Sequence, residues 1–191
     1  MKVEDSTLAV VRALERMNVP HYVTGSLASS LHGDPRSTND ADLVAALRVN
    51  QHADLQRELG DRFYVDEDEF RHAVEQERSF NLVDQVELAK VDVFCVRADG
   101  YQAAALARAK PMELEADDPF SSAHVASAAD VILSKLRWYR LGGETSDRQW
   151  SDLRGVVRAQ AGRLDLEYLR KWAADLGVSQ LLERLLESAP R

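Results

Sequence analysis

Asp40 and Asp42, in "STNDADLVAAL", are two carboxylates separated by one alanine at the head of an apolar run. On a strand alternate side chains share a face, so the pair would stand about 6.5 to 7 Å apart at the backbone while Ala41 and Leu43 turn into the other layer. Two like charges on one face repel. A fold keeps them at little cost when both are solvated or when a cation sits between them, and hard divalent ions such as Mg2+ take carboxylate oxygens. Asp92, between Val91 and Val93 in "KVDVFCV", is an acid inside an otherwise apolar strand, where a charge is costly without a partner. If that strand neighbours the first, Asp92 reaches the same pocket; otherwise it pairs with Lys90 or with an arginine.

Gly25-Ser26 supplies a complementary half. A short strand, "HYVT", runs into this dipeptide and then into helical residues. Such a junction presents free backbone N–H groups and a hydroxyl to an anion, and glycine lets a phosphate approach the backbone closely. A phosphate cradle together with metal-binding carboxylates would perform phosphoryl transfer by a two-metal route: one ion lowers the pKa of an attacking hydroxyl, and both clamp the α-phosphate as pyrophosphate leaves. Taken singly, Gly25-Ser26 also reads as a turn and cap, and Asp-x-Asp as a solvated strand edge.

Other polar residues have two readings each. Arg36, held near Pro35, either reaches a triphosphate or offsets the aspartates. His32, at the end of the short helix, reads as a packing or helix-terminus residue rather than a base. Lys135 falls inside the apolar stripe Val131, Ile132, Leu136 and Tyr139, so its ammonium needs an anionic partner or a cleft to reach into. Asp147 and Asp152 read as a helix-start acid and a surface charge. Trp138, Trp150 and Trp172 read as core between helices.

The elements that must position these groups follow from periodicity. "STLAVVRALERM" puts Val10, Val11, Leu14 and Met17 on one helical stripe with Asp5 or Ser6 as N-cap. "HYVTG" and "ADLVAAL" are strands, with a brief helix from Ser26 to Leu31 between them stopped by Gly33 and Pro35. "NQHADLQRELG" is a helix capped by Asn50. "RFYV", "SFNLVD" and "KVDVFCV" are strands, with an acidic helix near Glu67 to Glu77. "GYQAAALARAKP" is helical, "MELEADDPFSSAH" a short strand or loop, and the rest helical with glycine punctuation. The fold class is α+β: a small mixed sheet with helices on one face over residues 1–120, then a helical C-terminal region over 121–191, with the soft boundary near Phe120 to Ala123.

The 191 residues can bury a real core, and 45% hydrophobic with 29% charged residues is ordinary for a globular chain. No apolar run spans a bilayer and the first residues do not read as a signal peptide, so a cytoplasmic protein without a membrane partner is expected. The single cysteine, Cys95, reads as a buried small hydrophobe. A net charge of −8 argues against a general polyanion binder, though not against a local basic site.

"GSLASSLHGDPRSTNDADLV" with the later "KVDVF" resembles the minimal nucleotidyltransferase superfamily of the DNA polymerase β type. The pattern "HGxPRxTxDxD", with a later helix like "ADVILSKLRWYRLGGETSDRQWSDL", resembles the bacterial AbiEii-type nucleotidyltransferase toxins. The resemblance spans roughly Tyr22 to Asp152. It implies that Gly25 and Ser26 bind the triphosphate, that Asp40, Asp42 and Asp92 hold two Mg2+ ions, and that Lys135 helps hold the triphosphate.

The implied activity is transfer of NMP from an NTP to an acceptor hydroxyl, on RNA such as a tRNA 3′ end or on a protein, in a toxin with a partner antitoxin. Two alternatives stand beside it. One is a silent nucleotide- or partner-binding module of the same fold. The other is a small-molecule enzyme of the aminoglycoside-modifying kind, whose cationic substrate would suit an acidic cleft.

Overall fold

The computed structural model describes residues 3–115 and 118–188. In chain order the elements are α1 (Val3–Arg16), β1 (His21–Thr24), α2 (Gly25–His32), β2 (Asp40–Ala45), α3 (His52–Leu59), β3 (Phe63–Tyr64), α4 (Glu67–Glu75), β4 (Ser79–Asp84) and β5 (Lys90–Cys95). There follow α5 (Gly100–Arg108), β6 (Lys110–Glu113), β7 (Ser122–Val125), α6 (Ala128–Leu141), α7 (Asp147–Ala159), α8 (Leu166–Asp175) and α9 (Ser179–Ser188). They group into two compact units, Met1–Thr24 with Thr38–Val125, and Gly25–Ser37 with Ala126–Arg191.

The first unit is built on a seven-stranded mixed sheet in the order β3-β4-β5-β2-β1-β7-β6. β2 lies antiparallel to β1 and parallel to β5, which places it in the middle of the sheet. Alternation explains the strand sequences: Ala41, Leu43, Val91 and Val93 are fully or almost fully buried, while Asp42 and Asp92 between them are half-buried. α1, α3 and α4 form a helical layer against the sheet, with Val10, Val11 and Leu14 of α1 completely buried. α1 starts at Val3, so Asp5 and Ser6 lie inside it and neither is the N-cap expected from sequence. Ser6 instead turns inward and donates to Asp84 at 2.6 Å.

In the second unit α2 packs on α6 and α7, and α6 to α9 complete a helical cluster around Leu133, Leu136, Leu153, Leu169 and Leu182. Gly33, expected from sequence as a helix stop, has a closer reason. A Cβ there would lie 2.7 Å from the backbone N of Val156 and 2.9 Å from the carbonyl carbon of Gly155. Only glycine lets the end of α2 approach the α7 backbone so closely. Trp138, expected as core, is 50% exposed on α6. Trp150 and Trp172 are half-buried, Trp150 against Tyr139 with ring centroids 5.2 Å apart.

Three further expectations are corrected. Asn50 lies in a short 3-10 turn, Val49–Gln51, and the N-cap of α3 is Gln51. "RFYV" yields only the two-residue β3. The helix expected over "GYQAAALARAKP" ends at Arg108 and Lys110–Glu113 is β6, while the tract expected as a short strand or loop holds β7, which pairs with β1 through Val125 and with β6 along its length. Among the described residues no helix is long and apolar enough to cross a membrane.

Candidate functional site

The sheet unit carries a block of charge on one face. In the parallel β2–β5 register Asp40 lies opposite Lys90 and Asp42 opposite Asp92. Directly opposed residues point to the same face, so the four side chains form a two-by-two block. The row extends on both sides, with Thr24 of β1 opposite Asp42 and Asn81 of β4 opposite Asp92. The convergence expected if the two strands were neighbours is therefore present at Asp42 and Asp92, with Asp40 one strand repeat away.

Lys90 answers the charge. Its Nζ lies 2.9 Å from Oδ1 of Asp92 and donates to Oδ2 at 3.1 Å. That hydrogen bond raises the lysine pKa against the opposing effect of burial, and the charges of Asp92, Asp40 and Asp42 raise it further. Oδ1 of Asp92 is closed to solvent and accepts no hydrogen bond of acceptable geometry, its contact with the ammonium being electrostatic only; Oγ1 of Thr24 is likewise buried without a partner. Buried polar atoms without partners are uncommon and call for a reason.

The helical unit carries a second cluster. Ser26 lies in the first turn of α2, which starts at Gly25 with φ of +64°, a left-handed conformation that favours glycine. Arg36 donates from Nη2 to Ser26 Oγ at 2.6 Å. The same guanidinium grips Asp152 of α7 in a fork, Nε to Oδ1 and Nη2 to Oδ2, both at 2.9 Å. Lys135 of α6 donates to Asp152 Oδ2 at 2.8 Å. Burial pushes the Asp152 pKa up, but the hydrogen bonds from Arg36 and Lys135 outweigh it and hold the carboxyl below its usual range.

Three of the residues singled out from sequence, Ser26, Arg36 and Lys135, are thus joined through a fourth that was read as a surface charge. Asp152 is that residue, and its side chain is only 9% exposed. A signal was available: it sits one residue before Leu153 and four before Val156, on the border of the buried stripe of α7. His32 takes the packing role expected of it, its Nε2 meeting the carbonyl of Ala126 at 2.7 Å, and burial lowers its pKa.

Neither a family model nor a curated protein matches the sequence. Solved structures do match. The solution structure of the antibiotic-resistance factor ANT(2'')-Ia aligns with a TM-score of 0.54 at 15% identity, over 96% of this chain and 97% of that one. The crystal structure of ANT(2'')-Ia in complex with adenylyl-2''-tobramycin aligns with a TM-score of 0.54 at 12% identity, over 91% and 96%. An antigenic nucleotidyltransferase-like protein from Paracoccidioides brasiliensis aligns at 0.52 and 17% identity, over 99% and 94%. The chain has the nucleotidyltransferase fold.

Whether the acidic block suits a metal can be asked of its atoms. Its donors are hard carboxylate oxygens of the kind Mg2+ takes, and Asp92 Oδ1 is a buried acceptor with unused capacity. Among the described residues no three His, Cys, Asp or Glu side chains are already gathered as a metal-holding set. The donor chemistry of Asp42 and Asp92, with Asp40 on the same face, is of the kind a divalent cation takes. The salt bridge to Lys90 now takes up that charge.

Proposed function

We propose that this chain is a cytoplasmic, metal-dependent nucleotidyltransferase that transfers NMP from an NTP to an acceptor hydroxyl. The observation that carries the reading is the Asp42–Asp92 pairing across β2 and β5, with Asp40 on the same face, on a nucleotidyltransferase fold. Asp40, Asp42 and Asp92 would hold two Mg2+ ions, which when bound would lower the pKa of the attacking hydroxyl and neutralise charge at the α-phosphate.

The protein side chains do the rest. The N–H groups at Gly25 and Ser26, the Ser26 hydroxyl, Arg36 and Lys135 bind the triphosphate, and Asp152 fixes the directions of both cations beforehand. The acceptor's hydroxyl oxygen bonds to the α-phosphorus as the bond from that phosphorus to the β-phosphate oxygen breaks and pyrophosphate leaves, the acceptor's proton passing to Asp92. In the sequence Gly25 directly follows Thr24, which lies opposite Asp42.

RNA such as a tRNA 3′ end, or a protein, is the acceptor in the first instance, as in a toxin held by an antitoxin, on the strength of "HGDPRSTNDAD". A second acceptor class has its own support: alignment over nearly the whole of ANT(2'')-Ia and a net charge of −8 favour a cationic, aminoglycoside-like small molecule. The test is incubation with each α-labelled NTP and Mg2+ in the presence of total tRNA, cell lysate or tobramycin, with products separated by gel and thin-layer chromatography. Label in one class names the acceptor. Label in none, with folded and metal-replete protein, would sink the enzymatic reading in favour of a silent nucleotide-binding module.

A further inference from the structure

The two-by-two block on β2 and β5 holds three acids and one lysine. Asp42 and Asp92 face each other directly, at the roughly 4.8 Å spacing of neighbouring strands, and like charges so placed destabilise a sheet unless a cation stands by them. Lys90 places such a cation at Asp92, with its ammonium within 2.9 Å of Oδ1 and 3.1 Å of Oδ2. The lysine side chain is 44% exposed against 19% for Asp92, so the charge stands at the mouth of the block on a stem open to solvent. At Oδ1 the ammonium supplies charge without a hydrogen bond. A lysine ammonium is a compact point charge on a flexible four-carbon stem, easily swung aside.

We propose that Lys90 is the resident counter-cation of the carboxylate block, and that a divalent cation enters by displacing the Lys90 ammonium from Asp92. This rests on the block being the metal site of the proposed nucleotidyltransferase. Two consequences follow. Lys90 holds the metal-free sheet together by offsetting Asp42 and Asp92. As a tethered competitor, present at an effective concentration far above that of a free ion, it also weakens the first metal-binding event. A purely structural ion pair predicts neither a competition nor a gain in metal affinity when the lysine is removed.

Mn2+ binding without nucleotide, followed by titration calorimetry and by the paramagnetic signal of free Mn2+, decides it on wild type, Lys90→Met, Lys90→Gln, Lys90→Arg and Asp92→Asn. Lys90→Met and Lys90→Gln should bind Mn2+ about tenfold more tightly than wild type, and should melt below it in EDTA but not in excess Mn2+. Lys90→Arg should stay near wild type. Equal or weaker binding by both neutral variants, with Asp92→Asn much weaker than wild type, overturns the displacement while leaving the metal site in place. Affinity unchanged in every variant, Asp92→Asn included, removes the metal site and the proposal with it.

Discussion

Lys135 and Asp152 meet at 2.8 Å with only 9% of either side chain exposed, one on α6 and the other on α7. A buried pair of this kind gives modest net stability, yet breaking it from one side leaves an uncompensated charge in a poorly solvated place. Asp152→Ala strands both Lys135 and Arg36, and we expect a loss of about 3 kcal/mol in urea unfolding. The double variant Lys135→Met, Asp152→Leu should regain a large part of that loss. A double variant as unstable as Asp152→Ala alone would show that the cost lies in packing and not in charge.

The Asp42–Asp92 opposition makes a prediction of unusual sign. Asp42→Asn removes one of two facing charges, so in EDTA it should melt at or above the wild-type temperature while losing nucleotidyl transfer by orders of magnitude. Mg2+ should stabilise wild type by about 2.7 kcal/mol at a hundredfold excess over Kd, and the variant much less. Melting curves of both proteins with EDTA and with Mg2+ test this. Equal destabilisation of the variant in both conditions, with wild type indifferent to Mg2+, points to a structural carboxylate.

Gly25 is expected to be intolerant for two separable reasons. Its φ of +64° charges a β-branched residue about 1 to 2 kcal/mol in strain, and a side chain would obstruct a phosphate at the head of α2. Gly25→Ala and Gly25→Val should therefore fold with reduced stability and bind NTP weakly in a calorimeter, Val worse in both respects. Wild-type nucleotide affinity in a folded Gly25→Val protein would remove the phosphate-cradle role.

Acid stability should depend on Asp84. Burial pushes its pKa up, but hydrogen bonds from Arg62 at 2.8 Å, Ser6 at 2.6 Å and the amides of Val86 and Glu87 bring it down from 3.8 to about 2. Because the folded-state pKa lies below the unfolded one, this stabilisation is complete above about pH 4 and is lost as pH falls from there toward 2. It is worth on the order of 2 kcal/mol. Urea midpoints of wild type and Asp84→Asn should converge as pH drops from 5 to 2. A gap that stays constant across that range would mean that Asp84 does not carry the effect.

Much of this was legible in the chain because the decisive signals were local. Period-two patterns around Asp42 and Asp92 marked two strands and the shared face of the acids, and the apolar stripe around Lys135 marked a lysine in need of an anion. The partner of that lysine was not legible, since Asp152 is separated from it by a turn and a second helix and looks from sequence like any polar helix residue. β7 was left open between strand and loop because only Ala123 and Val125 turn inward, too short a pattern to decide. Nor does local sequence say that residues 25–37 cluster with α6 and α7. That depends on Gly33 meeting the backbone at Gly155 and Val156, a contact across more than a hundred residues.

The central place of β2 has a consequence during synthesis. Its pairing with β1 closes a short loop, but its pairing with β5 joins residues fifty apart, at a closure cost of about 3.5 kcal/mol. At a translation rate of roughly 5 to 20 residues per second, β2 emerges about 3 to 10 s before β5 exists to cover it. For that interval β2 is the open margin of a nascent hairpin, with "DLVAAL" available to pair with other chains. Charges on such a margin discourage intermolecular strand addition. Asp40 and Asp42 put two charges on that margin before Asp92 has been made.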